Sequence, residues 1–173
     1  MIRMFAVVAI VGLTLPSSGT AEDKTAPSAD KLQPLARFIG EWSVEGKWSD
    51  GSELHARDTF EWSLGKKIIN TKTFVKNGAS EYQRYEGVLT WHPKKASLVQ
   101  YNFAFDGSVS ETTMQAVDND TVRVGWVPYD PSAPSKVRQV LKFVDNDHFN
   151  WKVEVNANGA WQQIIDATWK RTK

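Results

Sequence analysis

The feature that most constrains this chain is its regular punctuation by turn residues. From Trp42 onward apolar and polar residues alternate, and clusters of Gly, Pro, Asn and Asp interrupt the alternation at short intervals. A period of two predicts strands, and short connections predict antiparallel neighbours. The predicted strands cover residues 41–48, 53–63, 67–76, 80–92, 96–105, 108–117, 121–128, 136–144, 148–155 and 160–171.

The number of strands indicates whether the sheet is open or closed. About ten sequential antiparallel strands would leave two exposed edges in an open sheet, and closing the sheet removes both. We therefore predict an all-β fold, an antiparallel up-and-down barrel with one short N-terminal helix. Eight strands make a barrel that side chains just fill, so ten should leave more room. The sequence leaves open whether that room is hollow or filled.

The segment before the first strand has helical spacing. Pro34 is tolerated only in a first turn, so the helix is short, and Gly40 permits a tight exit from it. Trp42 is then the first inward side chain of the barrel, and we expect it to close the floor against the helix. The apolar residues at helical spacing are Leu32, Leu35, Phe38 and Ile39.

The N-terminal residues predict export. Arg3 followed by the apolar run 4–15 and by small residues is typical of a signal peptide covering 1–21. The alternative of a membrane anchor is disfavoured because the run is too short to span a bilayer. Residues 22–28 are predicted to be a disordered linker, and 29–173 a single β-barrel domain. The chain has no cysteine to carry a lipid, so we expect a periplasmic or secreted protein without a stable membrane anchor.

Charge and missing motifs exclude several functions. Lys and Arg number 21 against 20 Asp and Glu, and this balance argues against a nucleic-acid partner. The three histidines lack metal-ligand spacing, and neither a cysteine nor a Gly-x-Ser-x-Gly elbow is present. We predict no catalytic residue, no metal site and no cofactor.

Three segments carry a resemblance to known barrels. They are Leu35 to Trp42 (LARFIGEW), Phe60 to Gly65 (FEWSLG) and Tyr85 to Pro93 (YEGVLTWHP). The chain resembles the calycin group, which includes lipocalins and the fatty-acid-binding and nitrobindin-like barrels. More specifically, it is similar to secreted bacterial proteins with a lipocalin-like domain. The resemblance implies an internal pocket for a small hydrophobic or amphipathic molecule.

Two features of those relatives do not transfer. The nitrobindin-like barrels ligate haem through a late histidine, and the only late histidine here is His148, beside a turn. The basic pair that grips a carboxylate in fatty-acid-binding barrels has no clear match, and Arg138 is only a candidate for that role.

Aromatic residues are the predicted lining of the pocket, because they combine wide apolar contact with a few polar tips. Asp58 shares a strand face with Phe60 and Trp62. It is either a buried polar handle near Arg138 or a carboxylate open to water at the barrel mouth. The candidate ligand-binding residues are Trp62, Phe74, Trp91, Tyr101, Phe103, Met114, Trp126, Arg138 and Trp151.

The predicted function is non-covalent binding of a small ligand inside the barrel. One alternative is a barrel isomerase or hydrolase that uses an internal carboxylate, and it predicts an altered pKa for Asp58. Another is a cell-envelope interaction module that uses the outer face. Apolar residues on both faces at Ile68–Ile69 and Ile164–Ile165 hint at such a contact, or equally at a homodimer or a covering helix.

Overall fold

The computed structural model describes residues 29–128, 136–157 and 159–173. Within them the chain forms helix α1 (Ala29–Leu32), a 3-10 helix (Gln33–Phe38) and ten strands whose ends lie within two residues of those predicted. The predicted signal peptide (1–21), the linker (22–28) and a predicted turn at 129–134 lie outside these residues. The strands are β1 Gly40–Lys47, β2 Glu53–Ser63, β3 Ile68–Asn77, β4 Ser80–His92, β5 Ser97–Ala104, β6 Val109–Ala116, β7 Thr121–Pro128, β8 Val137–Phe143, β9 His148–Ala157 and β10 Ala160–Arg171.

The sheet is closed. Each strand pairs antiparallel with its sequence neighbours, and β1 also pairs with β10, at Trp42 opposite Arg171. Near the other end of this seam the Ser49 N–H donates to the Ile164 carbonyl at 3.0 Å. The prediction of an all-β, up-and-down barrel is confirmed.

Strand pairing determines which residues face the interior. Trp42 and Val44 are buried on β1, so alternation assigns them to the inner face. Residues directly opposite each other on neighbouring strands share a face. Trp42 pairs with Asp58, and Val44 pairs with Ala56, so these two residues of β2 also face inward. The same rule, followed from strand to strand, assigns the inner face of the whole barrel.

Residues 29–38, which we call the plug, close one end of the barrel. Phe38 packs against Phe143 and Phe149 with ring centroids 4.8 and 5.3 Å apart, and the Trp42 indole N–H donates to the Phe38 carbonyl at 2.7 Å. Gly40 has φ +128°, and a side chain there would collide with the carbonyl of Lys173. The predicted floor, with Trp42 against the helix, is confirmed.

Two arginines tie the plug to the barrel rim. The Arg171 guanidinium donates to the carbonyls of Arg37 (2.8 Å) and Ile39 (2.5 Å) and lies 4.2 Å from the Trp42 ring centroid. Arg37 pairs with Asp120 and lies 4.1 Å from the ring centroid of Phe143. Since plug carbonyls would otherwise be left without donors at this rim, these bonds fix the floor in place.

The half of the barrel away from the plug is less tightly packed. Near the plug several inward side chains are almost completely buried, such as Ile69 (0%) and Leu89 (1%). In the other half many inward side chains keep part of their surface accessible although the sheet surrounds them, so space remains between them. We call this space the lumen. The partly accessible residues are Ala56, Asp58, Thr73, Val75, Gln100, Asn102, Gln139, Leu141, Trp151 and Val155.

Candidate functional site

The lumen has two unlike walls. Polar inward residues cluster on β2, β3, β5 and β6, interspersed with apolar ones, whereas the inward residues of β9 and of the 165–169 part of β10 are apolar. The polar wall consists of Asp58, Thr71, Thr73, Gln100, Asn102 and Thr112. The apolar wall consists of Trp48, Trp151, Val153, Val155, Ile165 and Ala167.

Hydrogen bonds connect the polar wall across three strands. The Gln100 amide Nε2 donates to Thr71 Oγ1 at 3.0 Å, and Thr112 Oγ1 donates to the Gln100 carbonyl at 3.2 Å. Thr71 and Gln100 lie on β3 and β5, with β4 between them. They can meet because the inward residue of β4 at this level is Gly87.

Gly87 leaves no room for a side chain. A Cβ atom there would lie 2.6 Å from Asn102 Oδ1, 2.8 Å from Thr71 Oγ1 and 2.8 Å from the Tyr101 carbonyl oxygen. The last of these is backbone, so the strand itself would have to shift. The glycine therefore allows β3 and β5 to bring their polar groups together across β4.

Replacing Gly87 with alanine should lower the free energy of unfolding by about 2 kcal/mol, the usual range for overpacking. Urea unfolding followed by tryptophan fluorescence measures this. Gly46 is the matched control, because it also faces inward, and a Cβ there meets only Ala167 Cβ at 3.5 Å. We expect Gly46→Ala to be neutral or slightly stabilising. Equal losses in the two variants would contradict the close approach at Gly87.

Asp58 is the charged member of the polar wall. It lies mid-strand on β2, opposite Trp42 on one side and Thr73 on the other. Its Oδ1 is shielded from solvent and has no hydrogen-bond partner in the described part of the chain. Burial raises the pKa of this carboxyl from 3.8 to about 7, while a hydrogen bond from Thr73 and the charge of Arg57 oppose the rise.

The apolar wall is held by tryptophans. The Trp151 indole N–H donates to Gln139 Oε1 at 2.7 Å, so its polar atom is satisfied without a ligand. Trp48 meets the Trp151 ring edge to face, with centroids 6.4 Å apart. These contacts fix both rings and leave part of each accessible, which suits a wall for a flat or aliphatic molecule.

Four of the predicted lining residues face inward: Trp62, Trp91, Met114 and Trp151. Trp151 borders the lumen, whereas the other three lie toward the plugged end. Trp126 is paired opposite Thr112 and Val137, but its side chain lies outside the described part of the chain. Whether any of these residues contacts a ligand remains a prediction.

The structure corrects the predicted placement of Tyr101 and Phe103. On β5 the residues paired with inward Leu89 and Gly87 are Gln100 and Asn102, so both aromatic residues lie on the outer face. Phe103 is 51% exposed. The inner face of β5 therefore presents the side-chain amides of Gln100 and Asn102 to the lumen, and the outer face carries the aromatic rings.

Phe74 and Arg138 are also on the outer face. Phe74 lies under the guanidinium of Arg57, 4.1 Å from its ring centroid. Arg138 pairs with Glu154 at 2.6 Å, and this contact lowers the pKa of Glu154. Arg138 therefore cannot pair with Asp58. The Oδ1 atom of Asp58 is shielded from solvent, although the residue as a whole keeps part of its surface accessible.

The structure also has a crevice outside the lumen. A crevice of about 600 Å³ includes Trp91 and Met114, but Thr113, Arg123 and Gly125 of the outer face line it too, so it is an open crevice at the plugged end. Within residues 29–128, 136–157 and 159–173, no three His, Cys, Asp or Glu side chains are grouped to hold a metal ion.

Sequence reasoning missed most of the polar wall. It singled out Asp58 from its neighbours Phe60 and Trp62, but not Thr71, Gln100, Asn102 or Thr112. Gly87 in the middle of a long strand was the available signal, since a strand glycine often marks a close backbone approach.

Comparisons with known proteins identify no family. No family model and no curated protein matches the chain. Among solved structures, it is similar to EF1p2_mFAP2b bound to DFHBI (13% identity, 82% of this chain and 99% of that one, TM-score 0.40). It is also similar to a redesigned beta barrel, b11L5F_LGL (14% identity, 86% and 98%, TM-score 0.43). Both TM-scores are too low for either likeness to bear on function. In the described part of the chain, no helix has the length and apolarity needed to cross a bilayer.

Proposed function

We propose that this protein binds a small amphipathic molecule in its lumen. The observation that carries the proposal is the set of partly accessible inward side chains in one half of a closed barrel, polar on one side and apolar on the other. A molecule with a polar end and an apolar body can contact both walls at once. Small-molecule sites commonly combine apolar lining with a few placed polar groups in this way.

Asp58 favours an amphipathic occupant over a purely apolar one. Its Oδ1 has no hydrogen-bond partner in the described residues, and a buried acceptor without a donor is unfavourable by about 1–3 kcal/mol. A ligand donor would satisfy it once the carboxyl turns toward the lumen, because Oδ1 is now shielded from solvent. A hydrocarbon would displace any water there and supply nothing in return.

The proposal includes export. Its support is the sequence pattern of residues 1–21, together with the lack of cysteine for a lipid anchor. A binding barrel outside the cytoplasm would meet small molecules that enter the envelope or the medium. N-terminal sequencing of the mature protein tests this part of the proposal, with cleavage after Ala21 as the expected result.

Titration with the neutral aromatic probe N-phenylnaphthylamine tests binding. We expect saturable one-to-one binding and energy transfer from the tryptophans, because Trp48 and Trp151 border the lumen. Ala56→Phe, which adds a ring on the inner face of β2, should weaken probe binding at least about tenfold by occupying that space.

Thr59→Phe is the matched control, since Thr59 lies on the outer face of the same strand. It should bind the probe like the wild type. Circular dichroism confirms that both variants fold. If N-phenylnaphthylamine does not bind, or if Ala56→Phe binds it as tightly as Thr59→Phe does, the lumen is not a binding site and the proposal is wrong.

Acid–base catalysis is a second candidate, favoured by the same carboxyl. A general base works best with a pKa near the operating pH, and burial raises the pKa of Asp58 to about 7. Turnover of a chromogenic ester that disappears in Asp58→Asn, while probe binding persists, would favour this candidate over simple binding.

A further inference from the structure

Charge is distributed unequally between the two faces of the barrel. At the regularly paired positions of the described strands, Asp58 is the only carboxylate on the inner face. Arg171 is the only inward cation at these positions, and it lies at the floor, where its guanidinium binds plug carbonyls and an Asp147 oxygen 3.2 Å away. At these positions the lumen therefore has one acidic group and, away from the floor, no basic one; Arg84 of the β4 bulge is a cation beside inward Tyr85.

The basic residues of the strands lie elsewhere. Arg84 is the additional residue at the bulge of β4, near the mouth, where its guanidinium lies 4.7 Å from the ring centroid of Phe105 and 5.4 Å from that of Tyr85. The remaining ones are on the outer face: Lys47, Arg57, Lys72, Lys76, Arg123, Arg138, Lys142, Lys152 and Lys170.

This arrangement disfavours anionic ligands. A carboxylate or phosphate entering the lumen would lose its hydration shell, meet Asp58 and find no cation to compensate. A protonated nitrogen beside the Asp58 carboxyl would instead supply a compensating positive charge. Oδ1 has no partner in the described chain and is shielded from solvent, so a hydrogen bond to it requires the carboxyl to turn toward the ligand. Charge-assisted hydrogen bonds of this kind are stronger than neutral ones.

Resting on the proposed lumen binding, we propose that the ligand is an amphiphile with a single protonated nitrogen that Asp58 neutralises. One carboxylate compensates one charge, so a second cationic group on the ligand would be left unpaired. The apolar body of the ligand lies against Trp48 and Trp151. The side-chain amides of Gln100 and Asn102 form further hydrogen bonds with the polar end of the ligand.

The structure also gives this binding a pH dependence. The groups that face Asp58 are Trp42 from β1 and Thr73 from β3; Tyr85 is the nearest inward titratable group on β4, and Arg57 is adjacent on its own strand. Neither Trp42 nor Thr73 titrates near neutrality. Ionisation of Asp58 therefore sets the profile, and amine binding should strengthen as pH rises from about 6 to about 8.

Three probes with one apolar body test the proposal: naphthylethylamine, naphthylethanol and naphthylacetate. Isothermal titration at about pH 8 should show the amine binding at least about tenfold more tightly than the alcohol, with the acid weakest. Asp58→Asn should abolish the preference for the amine over the alcohol. Asp166→Asn, on the outer face of β10 beside Lys152, should leave it unchanged.

The outcomes separate the two proposals. If amine and alcohol bind equally, or if the preference persists in Asp58→Asn, the charge assignment is wrong but lumen binding stands. If none of the three probes binds, both proposals fail. The wild type alone gives a second readout that needs no variant: the amine-to-alcohol affinity ratio must rise with pH, and a flat ratio overturns the assignment.

Discussion

Replacing Asp58 with asparagine should stabilise the protein at alkaline pH by roughly 4 kcal/mol and leave its stability at acid pH nearly unchanged. In the folded chain burial raises the pKa of this carboxyl to about 7, whereas the unfolded chain has the ordinary value of 3.8. Between these two values the folded protein holds a proton that the unfolded chain has released. Stability therefore falls as pH rises through this window.

The size of the effect follows from the separation of the two pKa values, because each unit corresponds to about 1.4 kcal/mol. Asparagine has nearly the shape of a protonated aspartate and cannot ionise, so it escapes the loss. Below about pH 4 both side chains are neutral and the two proteins should be equally stable.

Urea unfolding of both proteins at about pH 4 and about pH 8.5 measures the difference. Other carboxyls also change protonation over this range, but they do so in both proteins and cancel in the comparison. Asp166→Asn serves as control and should stay within about 0.5 kcal/mol of the wild type at both pH values. A difference between Asp58→Asn and the wild type that does not depend on pH would show that Asp58 ionises normally.

The strands could be predicted because the signals that determine their ends lie in the local sequence. Turn residues and the switch to a period of two determine where each strand starts and stops, and these signals do not depend on distant parts of the chain. Closure of the barrel could be predicted because an open sheet of sequential antiparallel strands would leave two edges with unpaired backbone groups. The floor was predictable too, since Gly40 and Trp42 stand where the helical spacing ends.

Which face of a strand points inward does not depend on the local sequence alone. On β5 the residues Tyr101 and Phe103 alternate with Gln100 and Asn102, and either set could face inward. Pairing of Gln100 with Leu89 decides between them, and a shift of one residue would exchange the two faces. Hydrophobicity favours the aromatic set, which is why the sequence-based placement was wrong.

Phe74 shows the same limit. It follows inward Thr73 directly, next to the β4 bulge, and its ring is covered by Arg57 rather than by the core. A cation over an aromatic ring at the surface is a stable alternative to burial. Asp58, by contrast, was assigned to the correct face because Phe60 and Trp62 lie at the same period of two and are unambiguous.

Removing the Trp42 side chain should destabilise the barrel more than overpacking at Gly87 does. Trp42 is completely buried, donates its indole N–H to the Phe38 carbonyl and contacts the rings of Phe143 and Phe149. Trp42→Ala should lower the free energy of unfolding by roughly 4 kcal/mol, the usual range for a buried aromatic residue. It also exposes the Arg171 guanidinium, which lies over the ring.

Trp161→Ala is the matched control, because Trp161 lies on the outer face with 37% of its surface exposed and only Arg138 over its ring. It should cost about 1 kcal/mol or less. Trp42→Phe separates the ring contacts from the hydrogen bond, since it keeps an aromatic ring and loses the N–H donor. An intermediate loss for Trp42→Phe would show that both contribute, whereas equal losses for Trp42→Ala and Trp161→Ala would mean that the plug does not depend on Trp42.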